Sequence, residues 1–236
     1  MPTISYRTGD FDLPAYLAVP DGPGPFPGVV VIHDATGFQG DVEAQAERMA
    51  AHGYIAIAPS LYSRGVKPLC VVKTFAASQA GRGQAFDDID NARKLLLARP
   101  DCTGKVGIIG FCMGGNFAMQ SAHKLDFDAA SVNYGEVPFN AEKLEGSCPV
   151  VGSFGGKDRY LWGAAERLEK HLTKLGVPHD VKEYPTVGHS FLNDLPAVAR
   201  SPFLPVNVVM GFHGTDDAAV ADAWQRIFGF FGEHLS

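Results

Sequence analysis

The segment Gly110-Phe111-Cys112-Met113-Gly114-Gly115 follows the apolar run Val106 to Ile109 directly, an order that sets a thiol at the tip of a sharp strand-turn-helix elbow. Glycines two residues to either side relieve the crowding around a strained central residue, and the side chain is forced into the open above the sheet. The chemistry available to such a thiol is nucleophilic attack as thiolate. A glycine-rich strand end around a structural cysteine is the competing reading, since free Cys packs like a small hydrophobe. The residues C-terminal to the elbow decide between them, because an elbow of this kind takes its acid and its base after the nucleophile. Pro149 to Phe154 reads as a buried strand, and Gly155-Gly156-Lys157-Asp158 ends it with a carboxylate. His179 to Tyr184 reads as a shorter strand, followed by Thr186-Val187-Gly188-His189-Ser190-Phe191, a loop carrying an imidazole. Cys112, Asp158 and His189 therefore stand as nucleophile, orienting acid and base, each at the end of a strand.

Positioning three such groups requires parallel strands whose carboxyl ends lie side by side. From about residue 27 the chain alternates strand and helix patterns, the signature of a mostly parallel sheet covered by helices on both faces. Val29 to Ile32 is β-branched without polar alternation and is expected to be a central strand. Ser5-Tyr6 and Ala15 to Val19 flank the polar turn Gly9 to Asp12 and predict an antiparallel hairpin at the sheet edge. Helices are expected over Val42 to Ala51, Gln84 to Ala98, Gly115 to Lys124, Leu161 to Leu175 and Ala218 to His234, with a strand at Tyr54 to Ala58. Two stretches resist the alternation, 59–83 and 193–215, and loops of that length commonly cover a site. Both are expected to wall or partly cover the pocket, with surface decoration as the alternative.

Composition bounds the rest. The chain has 236 residues, 46% of them hydrophobic, and a net charge of −6, which suits a single domain over 1–236. Without clustered Lys and Arg, nucleic acid is not an expected partner. No signal-like start or membrane-length apolar run is visible, so a cytoplasmic protein is expected. Cys70, Cys102, Cys112 and Cys148 form no C-x-x-C pair, which speaks against a zinc site or a disulfide frame. Asp87, Asp88 and Asp90 are expected to serve a helix start rather than a metal. His33 is expected to bond to backbone, Cys70 and Cys148 to be structural, and Phe228, Phe230 and Phe231 to face the core.

Pro27 to His33, Gly53 to Tyr62, Gly107 to Gly115 and Gly188-His189-Ser190-Phe191 together resemble the dienelactone hydrolase family over nearly the whole chain. A cysteine in the elbow is the most specific element of that resemblance. It implies an α/β-hydrolase fold, a Cys-His-Asp triad of Cys112, His189 and Asp158, and hydrolysis of esters or lactones without cofactor or metal. The family usually has glutamate where this chain has Asp34, meeting the resting cysteine and helping to deprotonate it. Asp34 keeps the carboxylate on a shorter arm, and would act through water, sit closer on a tighter loop, or cap the loop. Where the best-known lactonases carry an arginine four residues after the base, this chain has Asn193, which weakens the case for an anionic dienelactone.

Attack on an ester carbonyl would give an acyl-thioester and an oxyanion, with His189 taking the thiol proton and later activating water. The oxyanion needs two backbone donors, expected at Met113 and Ala35. Thr36, Tyr62, Arg64, Tyr134, Ser190 and Phe191 are the candidates for substrate contact. The partner expected is a small-molecule ester or lactone, and the assembly a monomer or homodimer. Acyl transfer to an alcohol or amine, and non-catalytic ligand binding on the same fold, are the alternative readings.

Overall fold

The computed structural model of the protein describes residues 3–38, 40–194, 209–211 and 216–236. Strands β1 (Ile4–Thr8) and β2 (Phe11–Ala18) form the antiparallel edge hairpin, in register from Ile4 opposite Ala15 to Thr8 opposite Phe11. The turn is tighter than the sequence suggests: only Gly9 and Asp10 are outside the ladder, and Gly9 takes a φ of 58° that a glycine adopts without steric cost. The chain then runs through β3 (Phe26–Ile32), α1 (Gly40–Ala51), β4 (Ile55–Pro59), α2 (Lys67–Ala80), α3 (Gln84–Leu97) and β5 (Cys102–Phe111). It continues as α4 (Met113–Lys124), β6 (Ala129–Asn133), a 3-10 turn (Ala141–Leu144), β7 (Val150–Gly155), α5 (Ala164–Leu175), β8 (His179–Tyr184) and α6 (Asp217–His234).

The eight strands form one sheet in the order β1-β2-β4-β3-β5-β6-β7-β8, antiparallel only where β2 meets its two neighbours. Every residue of β4, β6 and β7 is buried, as are Gly28 to Ile32 of β3, because helices cover both faces. Adjacent residues of a strand point to opposite faces, and β5 shows which helix takes which. Val106 shares a face with Leu96 of α3 across Gly28, whereas a Cβ on Gly107 would press on Leu235 and touch Phe231 of α6. α3 and α6 thus lie on opposite faces. α1 joins α6 through His52 stacked on Phe228 and Arg48 over Trp224. The aromatics expected in the core are found there: Phe230 and Phe231 are buried and Phe228 packs against the core.

The stretch 59–83 is not chiefly a loop. Fourteen of its residues form α2, with Pro68 in the first turn and Gly81 closing it in the left-handed conformation at φ 66°. Only Cys70, Thr74, Ala77 and Ser78 face inward, small side chains that leave no strong apolar stripe in the sequence. Most of 193–215 lies outside the described residues. Arg64, just before α2, forks onto the carboxylate of Asp88 at 2.5 and 2.9 Å and donates to Thr8 O. Tyr6 donates to Asp88 O. One ion pair thereby joins β1, the β4–α2 connection and α3.

Candidate active site

Four functional segments leave the carboxyl ends of parallel strands, where ligands bind in open α/β sheets. At the end of β5, Cys112 has φ 56° and ψ −114°, a conformation unfavourable for any residue with a Cβ. Its surroundings over-determine it. Cys112 N donates to Asn133 O at 3.1 Å, and Cys112 O accepts from Asn116 N at 3.2 Å. A Cβ on Gly110 would sit 1.9 Å from Gly114 O, and one on Gly114 would sit 2.3 Å from Ile32 O. The glycines are there because backbone passes against backbone. Cys112 itself is half-buried.

Asp158 follows β7 and is buried, with one carboxylate oxygen accepting from Tyr160 N at 3.0 Å and Leu161 N at 3.3 Å. Its other oxygen lies 2.6 Å from His189 Nδ1. His189 follows β8, also buried, with Cys112 near enough to act on its charge. Burial works against its charge, but the bond to Asp158 and the nearness of Cys112 outweigh burial and push its pKa up to about 9. The structure therefore places thiol, imidazole and carboxylate within electrostatic reach of one another.

The loops carrying acid and base are locked together by a feature the sequence does not announce. A Cβ on Gly155 would sit 2.4 Å from Gly188 O, one on Gly188 2.0 Å from Gly211 O, and one on Gly211 2.5 Å from Lys157 O. Hydrogen bonds run between the same segments: Lys157 N to Val187 O, Arg159 N to Val209 O and His189 N to Met210 O. No spacing motif connects residues so far apart in the chain, so sequence reasoning had nothing to find them by.

On the other side, His33 and Asp34 follow β3. His33 bonds to backbone as expected, through Asp34 O at 2.8 Å. Asp34 turns one carboxylate oxygen to Thr36 N and Thr36 Oγ1 at 2.8 and 2.5 Å, which caps the loop. Ala35 and Thr36 are exposed. α4 begins without a side-chain cap, which leaves the Met113 amide with no acceptor inside its helix. Tyr62 ties the two expected donor residues together: its hydroxyl lies 3.2 Å from Ala35 O and 3.4 Å from Met113 Sδ.

The polar groups expected to contact substrate are in several cases spent on the protein. Arg64 is held by Asp88, Tyr62 by Ala35 and Met113, and Tyr134, almost fully buried, donates to Asn193 Oδ1 at 2.5 Å. Asn193 in turn donates to Asp41 Oδ2 at 2.6 Å, so the position expected to lack the family arginine clamps the base loop to α1. Ser190 is buried with φ 58°, and Phe191 packs between Tyr134 and Tyr184. Among the described residues no cluster of metal-ligating side chains occurs, and no helix is long and apolar enough to cross a membrane.

Comparison with known proteins agrees with this architecture. The family model of the dienelactone hydrolases matches residues 13–235. Two proteins bearing the name "putative carboxymethylenebutenolidase" are similar over almost the whole chain. The one from Yersinia pestis is 28% identical, covering 94% of this chain and 84% of its own. That from Synechocystis sp. is 28% identical, covering 98% and 96%. Among solved structures, a dienelactone hydrolase-like promiscuous phosphotriesterase from metagenomic libraries superposes with a TM-score of 0.82 at 22% identity, over 99% of this chain and 97% of that one. The fold is that of the α/β-hydrolases, and the chain belongs to the dienelactone hydrolase family, a family of ester and lactone hydrolases.

Proposed function

We propose that the protein hydrolyses a carboxylic ester or lactone with Cys112 as nucleophile, through an acyl-thioester. The observation that carries this reading is a half-buried cysteine on a strained elbow, near an imidazole whose Nδ1 lies 2.6 Å from a buried carboxylate. His189 holds the proton taken from Cys112, and the sulfur attacks the carbonyl carbon. The carbonyl oxygen becomes an oxyanion beside the amides of Met113 and Ala35, each such donor being worth about 3 kcal/mol in the transition state. His189 then passes its proton to the departing alkoxide, which in a lactone stays attached to the acyl group. Water, deprotonated by His189, attacks the thioester, and the sulfur leaves and takes the proton back. Asp158 holds the imidazole tautomer and favours its charged form.

With Arg64 engaged by Asp88 and Asn193 by Tyr134 and Asp41, a neutral ester or lactone suits the site better than an anionic one. Burst kinetics on an activated aryl ester, with intact-protein mass, test the mechanism. Wild type should show a burst near one equivalent and an acyl adduct, and Cys112→Ala should lose both, with turnover down by at least about a thousandfold. Equal rates in the two proteins would sink the mechanism.

A further inference from the structure

A cavity of about 570 Å³ lies between α2 and the start of α3, and none of Cys112, His189 and Asp158 lines it. Its size falls within the range of about 300–1,000 Å³ typical of ligand pockets. Leu61, Cys70, Ala77 and Ala85 give it apolar walls, while Lys73 and Arg82 stand at it with no hydrogen-bonding or ionic partner among the described residues. Asp88, the acid lining it, is already neutralised by Arg64.

The charge around this cavity departs from that of the rest of the chain. Between Glu47 and Asp87 the sequence holds no acidic residue, although the whole protein carries −6. α2 also carries apolar side chains on its outer side, where Leu69, Val72 and Phe75 are 60%, 65% and 47% exposed. A helix apolar on its outer side is unusual and marks a surface that binds something. An acyl chain with an anionic head satisfies both features, its chain covering apolar wall and its head meeting Lys73 and Arg82.

We infer that the groove between α2 and α3 binds a single long-chain amphiphile with an anionic headgroup, separately from the ester site. The ammonium and guanidinium give the head a charge-assisted contact, and the chain removes apolar surface from water.

Calorimetric titration of the intact protein with dodecyl phosphate, below its micelle concentration, tests this. One equivalent should bind saturably, and the surface double variant Lys73→Glu/Arg82→Glu should bind at least about tenfold more weakly. Its aryl acetate hydrolysis should be unchanged. Inorganic phosphate and dodecyltrimethylammonium, probing head and chain alone, should each bind more weakly than dodecyl phosphate. Wild-type affinity in the double variant, equal affinity for the cationic amphiphile, or competitive inhibition of aryl acetate hydrolysis by dodecyl phosphate would overturn the proposal. Sedimentation with phosphatidylglycerol vesicles separates the sources of the ligand. Co-sedimentation lost in the double variant, with no binding of dissolved dodecyl phosphate, would assign the charge to a membrane surface and overturn the single-ligand groove.

Discussion

His189 holds its proton against burial because a carboxylate lies on one side and a sulfur on the other. In the proposed mechanism that proton leaves with the alkoxide, so kcat/KM for an ester with a poor leaving group should fall as pH rises past about 9. Asp158→Asn removes the anion that supports the imidazolium and leaves the amide free to hold the other tautomer. The alkaline fall should then begin at lower pH, and kcat/KM should drop by about a hundredfold or more. A pH–rate profile of both proteins checks this, and an unmoved alkaline limb would show that His189 does not set it. Tyr62 belongs to the same scale. Its hydroxyl pKa is pushed up to about 12, first by burial and then by the charges of Asp34 and Cys112, so it stays a neutral donor that positions backbone.

Between elements, the decisive contacts are backbone on backbone. Gly155, Gly188 and Gly211 let three segments pack so closely that a single methyl group has no room. Gly188→Ala should therefore push the 209–211 segment away and carry His189 with it, since His189 N donates to Met210 O. A displacement of about 1 Å at a reacting group costs about a hundredfold, so kcat should fall far more than the unfolding midpoint does. Parallel kcat and urea-unfolding measurements check the split, and a wild-type kcat would show the three segments to be independent of the chemistry. Gly114 has a different place, against the carbonyl of Ile32 at the end of β3, where a methyl would separate α4 from the sheet itself.

At the scale of the whole molecule, two charge arrangements set stability. Asp88 has a side chain only 1% exposed and is paired with Arg64. Arg64→Ala would leave a buried carboxylate without its cation, a change that typically costs about 3–5 kcal/mol, read as a lowered urea midpoint. Double substitution of Arg64 and Asp88 by apolar residues should recover part of the loss, since burying an ion pair carries its own desolvation cost. The second arrangement is His189, whose pKa of about 9 in the folded protein stands above its ordinary 6.5. The folded state thus holds a proton that the unfolded chain releases between those values. The stabilisation is full below pH 6.5 and is lost as pH rises through 9, a difference of up to about 3 kcal/mol. Unfolding of wild type and His189→Gln at pH 6 and pH 10 measures it; an identical slope in both would assign the pH dependence elsewhere.

The amino-acid sequence by itself determined the alternation of strands and helices outside 59–83, the thiol after its strand and the carboxylate and imidazole C-terminal to it. These are local: β-branched runs such as Val29 to Ile32, the glycines around Cys112, and single polar residues placed just past strand ends are written in consecutive positions. The edge hairpin and the covering helices were legible for the same reason. α2 was not, because its inward residues Cys70, Thr74, Ala77 and Ser78 are small and two of them polar, giving no strong period. Nor could the sequence show that Arg64 is committed to Asp88, or Tyr134 to Asn193 and through it to Asp41. Only the tertiary structure decided which polar groups face the site free and which are spent on the protein, because a hydrogen bond between residues far apart in the chain exists only once the sheet has brought them together.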